Sequence, residues 1–446
     1  MTITGRPRLA PLVGVFVAVA LAGLAMAVPA STGWDVHVRS FPPLHAEWDP
    51  RVGPGTLPAV LLGALGVWLS VGLAERLRWR SLLVATYAAG VAWMFSLALV
   101  DGEKGIGTIL DTEYEYLPTA RATDDFPAAL REWVSRIPYD GLPDDIVGAN
   151  WPVHVAGHPP GALHFFVVLD RLGLGGGLQA GIVVTLVAAS TAVAVLVTLR
   201  LLGAELVARR AAPFLVLGPA AIWQAVSGDA VFAAVAAWGL AALAAAAVRR
   251  STWWALVAGL VLGFAVMLSY GLPLLGLLAV AVLVVARSWR PLPWAVLGAL
   301  AVVLTYAAFG FAWWEALPVL RERYWDGVAS VRPASYWMWA NLAALVFSAG
   351  PLLGAGLTTL GRRAADLEIG PDAVRATNWL VGAAVATVVA ADLSQMSKAE
   401  VERIWLPFVP WLLVSCALLP ERWRRVGLAL QVVTALVVQH LLFTGW

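Results

Sequence analysis

The chain has 446 residues, of which 60% are hydrophobic and only 13% are charged, and its formal net charge is +2. Soluble proteins carry about 25% charged residues, so this composition excludes a soluble globular protein. The single cysteine, Cys416, excludes a disulfide within the chain and a thiolate metal cluster. Lipid is the expected solvent for most of the surface, and no nucleic-acid partner is expected.

Apolar runs of a length that suits membrane-spanning helices, about 16 to 22 residues, recur along the whole chain. In lipid every backbone N–H and C=O group needs a partner within its segment, so these runs are predicted to be helices. The alternation of a membrane β-barrel is absent. The sequence therefore predicts one polytopic all-α membrane domain, 1–446, with about thirteen transmembrane helices. The predicted helices are 9–30, 57–74, 81–100, 178–200, 211–227, 229–248, 253–269, 271–286, 292–312, 337–360, 376–393, 405–419 and 426–444.

The connections between these runs are of two kinds, short and arginine-rich or longer and acidic. With a cytoplasmic N-terminus, the inner connections hold 18 of the 30 lysines and arginines but only 6 of the 28 acidic residues. An excess of Lys and Arg in short loops marks the cytoplasmic side of a membrane protein. We therefore expect a multi-pass plasma-membrane protein whose acidic and aromatic loops, and any active site, are extracytoplasmic.

Two outer loops are long enough to carry function, the first outer loop (31–56) and the large outer loop (101–177). Within the large outer loop, 161–174 is apolar but only 14 residues long. If it spanned the membrane, the later basic loops would face outward, so we expect an interfacial helix instead. In the same loop Asp125 precedes Phe126 and Pro127, which predicts a helix N-cap.

The outer loops combine carboxylates with aromatic side chains, and this is the chemistry that a sugar site needs. Carboxylates hydrogen-bond hydroxyl groups and can accept a proton from an attacking hydroxyl. Cations at the same surface can hold a lipid phosphate. These features favour an enzyme over the alternative, a lipid or small-molecule transporter or flippase. The chain shows no convincing internal repeat, and the middles of its predicted helices lack charge.

Three segments carry a resemblance to a known family. GHPPGALHFFVVLDRLGLGGG (157–177), SVRPASYWMWANLAA (330–344) and SKAEVERIWLPF (397–408) resemble an actinobacterial branch of membrane glycosyltransferases. The predicted number of spans and the outward-facing acidic loops are similar to those of the C-type glycosyltransferase superfamily (GT-C). Members of that superfamily take a sugar from a polyprenyl phosphate at the outer leaflet. Within the branch, the segments resemble the mycobacterial methylthioxylose transferases, which decorate cell-wall lipoglycan.

The resemblance implies an inverting transfer of a sugar, for example a pentose such as methylthioxylose, from a polyprenyl-phosphate donor to a cell-wall glycan or lipoglycan. An acidic residue just beyond the first helix acts as general base on the acceptor hydroxyl, and the lipid phosphate leaves. Asp35 matches this position, with Glu47 and Asp49 on the same loop as alternatives. The superfamily often has paired acids in this loop, whereas Asp35 stands alone.

Glu113 and Glu115 alternate with tyrosines in TEYEYL (112–117). If this segment is extended, both carboxylates lie on one face of the backbone. They are then catalytic-site candidates that bind acceptor hydroxyls or a divalent metal ion. No other cofactor is expected.

His158 lies in GHPPG, where two prolines fix the backbone immediately before the expected interfacial helix. The positive end of that helix together with His158 would suit the donor phosphate. His154 lies four residues earlier, but Gly157 and Pro159 separate the two histidines from a common helix. A zinc site is therefore not expected.

Three cations near the outer ends of the last helices are further candidates for binding the donor phosphate: Lys398, Arg403 and Arg332. The structural alternative is a capping box in which Ser397 and Glu400 begin the next helix. The sequence leaves both readings open.

Asp229 and Asp392 lie at or near the outer ends of predicted helices. An ionisable group at membrane depth costs a few kcal/mol, so such residues are often functional. We expect both side chains simply to reach the membrane interface.

Overall fold

A computed structural model of the protein describes residues 9–138, 150–362 and 369–445. Residues 139–149 of the large outer loop lie outside the described residues. The described chain is almost entirely α-helical and includes one two-stranded sheet, so the expected all-α class is confirmed.

The first half of the described chain contains long apolar helices and, between α3 and α9, a group of shorter helices in the large outer loop. In order they are α1 (Ala10–Thr32), α2 (Thr56–Arg76), α3 (Trp79–Ala98), α4 (Lys104–Gly107), α5 (Tyr116–Arg121), α6 (Phe126–Glu132), α7 (Val153–Ala156), α8 (Pro160–Arg171), α9 (Gly177–Leu201), α10 (Glu205–Leu217), α11 (Ala221–Gln224) and α12 (Gly228–Arg249). Three-residue 3-10 turns lie at Leu99–Asp101, Ile109–Asp111 and Val134–Arg136.

The second half contains shorter and more often interrupted helices. They are α13 (Thr252–Leu268), α14 (Gly276–Val285), α15 (Leu292–Ala308), α16 (Trp313–Asp326), α17 (Val328–Val331), α18 (Ala334–Ala349), α19 (Leu352–Leu357), α20 (Pro371–Leu393), α21 (Val401–Ile404), α22 (Val409–Leu413) and α23 (Glu421–Leu441). Further 3-10 segments lie at Leu272–Leu275 and Val414–Leu418. Strands β1 (Glu47–Trp48) and β2 (Leu442–Phe443) pair antiparallel, with Glu47 opposite Phe443.

Six helices in the described residues are long and apolar enough to cross a membrane: α1, α2, α3, α9, α12 and α20. A seventh span results if α15 and α16, which are bent by 73° with respect to each other, count as one. The protein therefore has the apolar helices of a membrane-embedded chain. Thirteen spanning helices are not shown, and that number stays a prediction.

Several predicted spans are broken helices in the structure, and proline or glycine lies at the breaks. The run 211–227 divides into α10 and α11, which Gly218 and Pro219 separate. The run 337–360 divides into α18 and α19 at Gly350, whose φ of +79° favours glycine. Proline has no backbone donor and interrupts helical hydrogen bonding, so uniform hydropathy does not guarantee an unbroken helix.

The centre of the bundle is α12, which packs against α9 and α13. In the most apolar 18-residue stretch of α12, 83% of the residues are buried inside the protein. In the same kind of stretch of α1, only 17% are buried. Because the exposed residues of α1 are themselves apolar, lipid is their expected environment. The helices are thus arranged as one buried central helix surrounded by more peripheral ones.

The predicted inner connections come together at one end of the bundle. Glu75, at the end of α2, accepts a hydrogen bond of 2.7 Å from Arg424 Nη1 and lies 3.3 Å from Arg210 Nε. Arg209 Nη1 donates to the Leu77 carbonyl at 2.7 Å. Three connections that the charge pattern assigns to one side are therefore in direct contact.

The predicted outer segments come together at the opposite ends of the same helices. Strand β1 of the first outer loop pairs with β2 after α23. Asp101, after α3, forms an ion pair with Arg51 and accepts a hydrogen bond of 2.8 Å from Gln439 Nε2. The contacts thus support the division of loops into two groups, while the side of the membrane that each group faces stays a prediction.

The expected interfacial helix is α8, which has 12 residues and does not meet the length of a span. It packs against α5 and the end of α13. Helix α6 also begins as expected, since the Asp125 carboxylate accepts a hydrogen bond of 3.0 Å from the Ala128 N–H. Together these short helices make the described part of the large outer loop a folded layer.

Cysteine labelling can test the predicted orientation, because the only native cysteine, Cys416, is fully buried. Asp124 and Arg290 are both exposed, and they lie in a predicted outer and a predicted inner connection. In intact cells, a membrane-impermeant maleimide should label Asp124→Cys but should label Arg290→Cys only after permeabilisation. The reverse pattern would contradict the orientation, and the unmodified protein measures background labelling.

Candidate functional site

Four segments that are far apart in sequence meet at the outer-loop end of the bundle. They are the start of α5, α7 with its connection to α8, the start of α12, and α21 with the residues that precede it, and a fifth segment, between α17 and α18, adds Arg332. Their ionisable side chains form what we call the outer cluster, which consists of Glu115, Tyr116, His154, His158, Asp229, Arg332, Glu400 and Arg403.

Arg403 is the central cation of the outer cluster. Its Nη1 donates to Asp229 Oδ2 at 2.5 Å, and its Nη2 lies 3.4 Å from Glu400 Oε2. Burial lowers the pKa of Arg403, but the nearby carboxylates raise it by more. The guanidinium therefore stays charged. Asp229 lies in the first turn of α12, behind Ser227, whose hydroxyl caps the helix by accepting from the Ala230 N–H at 3.2 Å. The fold of α12 therefore presents a carboxylate to Arg403.

Glu400 connects the two arginines of the outer cluster. Its Oε1 lies 3.2 Å from Arg332 Nη2, while its other oxygen contacts Arg403. Burial raises the pKa of Glu400, but the two guanidinium groups outweigh that effect and hold the pKa at about 2. Its backbone has a φ of +61°, and its side chain makes no cap. The expected capping box with Ser397 is therefore wrong, because Glu400 pairs with arginines instead.

Glu115 and His154 form a second pair in the outer cluster. Glu115 Oε1 lies 2.9 Å from His154 Nδ1, and both side chains are largely buried. Burial raises the pKa of Glu115, but His154 and then Arg403 lower it by more, so the net pKa is below its usual value. Glu115 thus enters the site as a carboxylate.

Glu113, the other acid of TEYEYL, is exposed. Residues 113–114 form a turn before α5 rather than an extended strand. The expectation that Glu113 and Glu115 share one face is therefore wrong, since the turn buries one carboxylate and leaves the other at the surface.

His158 contacts the backbone of its own segment and Tyr116. Its Nδ1 lies 2.8 Å from the His154 carbonyl oxygen and 2.9 Å from the Tyr116 hydroxyl. A carbonyl oxygen only accepts, so Nδ1 carries a proton, and burial lowers the pKa of His158. The imidazole is therefore neutral, with its lone pair on Nε2, and supplies a hydrogen-bonding group rather than a charge for phosphate.

Arg332 and Lys398, both predicted to bind phosphate, are engaged by the protein itself. Arg332 donates to the carbonyl oxygens of Lys398 at 2.6 Å and His37 at 3.1 Å. Lys398 Nζ donates to the Ala329 carbonyl at 2.9 Å and lies 4.4 Å from the centre of the Trp325 ring. Arg332 thus holds the first outer loop and the segment before α21 together, and Lys398 ties that segment to residues 325–329.

Asp35 lies outside the outer cluster. Its side chain is 74% exposed and accepts a hydrogen bond of 2.8 Å from the His37 N–H. It borders a groove of about 400 Å³ at the outer end of α1, which Trp34 and Arg39 also line. The alternatives Glu47 and Asp49 are exposed as well. None of the three carboxylates of the first outer loop is brought to the buried charges.

The structure thus brings Glu115, His158, Arg403 and Arg332 into one cluster, with Lys398 adjacent, and leaves Asp35 and Glu113 apart. It adds Asp229, which is 3% exposed. Asp229 is buried and pairs with Arg403 inside the protein, while its expected position at the membrane interface stays a prediction. The sequence carried one signal for this role. Asp229 is the one acidic residue of α12, and it lies in the first turn of that helix.

Asp392 is also buried inside the protein. It is 8% exposed and accepts a hydrogen bond of 2.8 Å from Asn341 Nδ2. The same Asn341 amide donates to the Ser397 carbonyl at 2.7 Å, and its oxygen accepts from the Ala399 N–H at 3.1 Å. This network holds the backbone of the segment that leads to Glu400 and Arg403.

Glu402 is a fully buried acid that sequence reasoning did not single out. Neither of its carboxyl oxygens has a hydrogen-bond partner among the described residues. Burial, with the neighbouring Glu400 charge, raises its pKa to about 7. Glu402 therefore changes its protonation state near neutral pH, next to the residues that pair in the outer cluster.

A divalent metal ion was an expected alternative ligand for the acids of this loop. Among the described residues, no three His, Cys, Asp or Glu side chains come close enough to hold a metal ion. The carboxylates Asp229 and Glu400 of the outer cluster are instead paired with the guanidinium groups of Arg403 and Arg332.

Comparison of the chain with protein-family models and with curated proteins gives no match. The resemblance to glycosyltransferases therefore stays a prediction, and the function has to be argued from the site.

Glu402 predicts a specific pH dependence of stability. Its pKa rises from an ordinary value of 4.5 to about 7 on folding, so its contribution is fully present below pH 4.5 and is lost as the pH passes 7. The linked free energy is roughly 3 kcal/mol. In Glu402→Gln, the midpoint of thermal unfolding should fall less between pH 5.5 and 8 than in the native protein. Equal pH dependence in the two proteins would contradict a raised pKa.

Proposed function

We propose that this protein is a polyprenyl-phosphate-dependent glycosyltransferase whose site is the outer cluster. The observation that carries the proposal is the convergence of two buried carboxylates, two imidazoles and a charged guanidinium from four separate segments at the outer-loop end of an apolar helical bundle. The substrate pair is a lipid-borne sugar donor and a cell-wall glycan or lipoglycan acceptor, on the outer face of the plasma membrane.

The chemistry of the cluster suits an inverting transfer. Such a reaction needs a proton acceptor for the incoming hydroxyl and a cation for the charge that develops on the departing phosphate. Glu115 with His154 supplies the first function, and Arg403 supplies the second. Asp35 keeps a separate role at the groove by α1, where Trp34 and a carboxylate could bind acceptor hydroxyls without direct contact with Arg403.

Burial strengthens both electrostatic functions. Charges in a site from which water is largely excluded interact more strongly than charges at the surface. Arg403 is 6% exposed and Glu115 is 4% exposed, while the bundle around them offers apolar surface to a polyprenyl chain. The proposed donor therefore enters sideways from the membrane, with its phosphate next to Arg403.

A transporter or flippase is the alternative function. It would move the lipid donor across the membrane without breaking the bond between sugar and phosphate. The experiment below distinguishes the two, because only a transferase makes a glycosylated acceptor.

The proposal predicts transfer of sugar from a radiolabelled polyprenyl-phosphate donor to a cell-wall acceptor by protein reconstituted in nanodiscs. Glu115→Gln should lower kcat by at least about tenfold, since a positioned acid–base group contributes about 10² to 10⁴ in rate. Glu113→Gln is the matched control. It makes the same chemical change two residues away at an exposed position, and it should keep kcat within about twofold.

Two results would contradict the proposal. Absence of transfer with pentose and hexose donors alike, combined with donor movement across liposomes, would favour the transporter. Equal losses in Glu113→Gln and Glu115→Gln would remove the outer cluster as the site.

A further inference from the structure

Helix α16 carries a groove that is separate from the outer cluster. The helix lies between the predicted spans 292–312 and 337–360, in a connection that the charge pattern places on the outer side. The groove has a volume of about 560 Å³. Small-molecule sites have volumes of about 300 to 1,000 Å³, so the groove is large enough to hold a ligand. Its lining residues are Leu317, Pro318, Arg321, Glu322, Trp325 and Asp326.

The lining residues form two neighbouring rows along the helix. Leu317, Arg321 and Trp325 follow one another at intervals of four residues, and a proline followed by Glu322 and Asp326 repeats the same interval one position later. Side chains four residues apart lie on the same face of a helix. One row therefore offers an aromatic ring and a guanidinium, and the row beside it offers two carboxylates.

The charges of the groove are not used by the protein itself. Arg321, Glu322 and Asp326 are exposed, and their side chains form no ion pair or hydrogen bond within the part of the chain that the structure describes. The two carboxylates are four residues apart, where like charges repel, and Asp326 is the last residue of α16, where the helix dipole disfavours an acid. Helix stability therefore does not explain the acids at these positions.

Trp325 is held in place from the protein side. Lys398 Nζ lies 4.4 Å from the centre of its ring, and the Tyr324 ring packs edge-on with 6.1 Å between the ring centres. The Tyr324 hydroxyl also accepts a hydrogen bond of 2.9 Å from the Lys398 N–H. The helix itself is anchored by Arg323, whose Nη1 donates to the Ile137 carbonyl at 2.6 Å. The groove thus has a fixed aromatic ring in its lining.

Lys398 also connects the groove to the outer cluster. Its carbonyl oxygen accepts a hydrogen bond of 2.6 Å from Arg332 Nη1, and Arg332 Nη2 lies 3.2 Å from Glu400 Oε1. Direct contacts therefore lead from Trp325 to the charges of the outer cluster. A long ligand in the groove would extend from the edge of that cluster along α16.

We propose that the groove of α16 binds sugar rings of the glycan acceptor that lie away from the hydroxyl that reacts. This inference rests on the proposed function and deepens it by assigning a subsite for the acceptor. The apolar face of a sugar ring stacks on the Trp325 ring. Sugar hydroxyls donate to Glu322 and Asp326, and sugar oxygens accept from Arg321.

The charges of the groove favour a neutral sugar over other ligands. Two carboxylates and one guanidinium give the lining a net charge of −1. That charge repels phosphate and the head groups of anionic lipids, and Arg321 repels a cation. A neutral ligand with many hydroxyl groups can instead bind to all three charged side chains.

The first test measures binding and does not depend on activity. The probes are fluorescently labelled short linear oligomers of mannose, arabinose, glucose and N-acetylglucosamine, and fluorescence polarisation reports their binding to the protein in phosphatidylcholine nanodiscs. The native protein should bind at least one oligomer. The double substitution Glu322→Ala with Asp326→Ala should weaken that binding at least about tenfold, because hydrogen bonds to two charged acceptors are lost.

Glu315→Ala is the matched control. Glu315 is an exposed acid in the first turn of the same helix and does not line the groove. Its removal should change the affinity by no more than about twofold. The inference is overturned if no oligomer binds better than to empty nanodiscs, or if the double variant binds as tightly as the native protein. It is also overturned if the double substitution alters binding only to phosphatidylglycerol vesicles, since the groove would then be a lipid site.

The second test uses transfer kinetics with an oligosaccharide acceptor. The double variant should raise KM for this acceptor at least about tenfold and change kcat far less, because the groove holds sugar rings that do not react. If the native protein transfers no sugar, the proposed function falls, while the binding assay still decides whether the groove holds sugars. If the native protein transfers sugar and the double variant keeps the native KM, the function stands and α16 is not the acceptor subsite.

Discussion

The buried guanidinium of Arg403 is the interaction on which the outer end of the structure depends. A charge removed from water costs several kcal/mol unless opposite charges and hydrogen bonds replace the lost hydration. Asp229 and Glu400 supply that replacement, and Glu400 in turn holds Arg332. Because these residues come from three separate segments, the segments must be correctly placed before any of the charges is neutralised. The ion pairs thus couple the position of the loops to that of the central helix.

This coupling changes what the cations can do. Arg332 and Lys398 are committed to backbone carbonyl oxygens, so their first role is to hold the first outer loop and the segment before α21 in place. Arg403 is the cation that faces both the Glu115 pair and the start of α12. In the proposed reaction a lipid phosphate competes with Glu400 for Arg403, and the released carboxylate keeps Arg332 as its partner. The charge balance of the site can then be maintained as donor binds and product leaves.

The sequence predicted those features that depend on composition along a single segment. Hydropathy gave the apolar helices, and the arginine pattern grouped the loops that the contacts then join, such as Glu75 with Arg424. Broken helices were missed because hydropathy does not report Gly350 or Pro219. The site was predicted only in part for a similar reason. A turn, and not an extended strand, separates Glu113 from Glu115, and pairing across more than 170 residues selected Asp229 for Arg403.

Alanine supplies half of the residues of α12, the helix that the others surround. Such a helix presents a smooth and narrow cylinder, and its neighbours approach until backbone and methyl groups touch. Larger residues introduced along it would therefore push whole helices apart, while the short helices above it can change without that penalty. Sequence change should accordingly accumulate in the outer layer, with the alanine-rich axis left nearly constant.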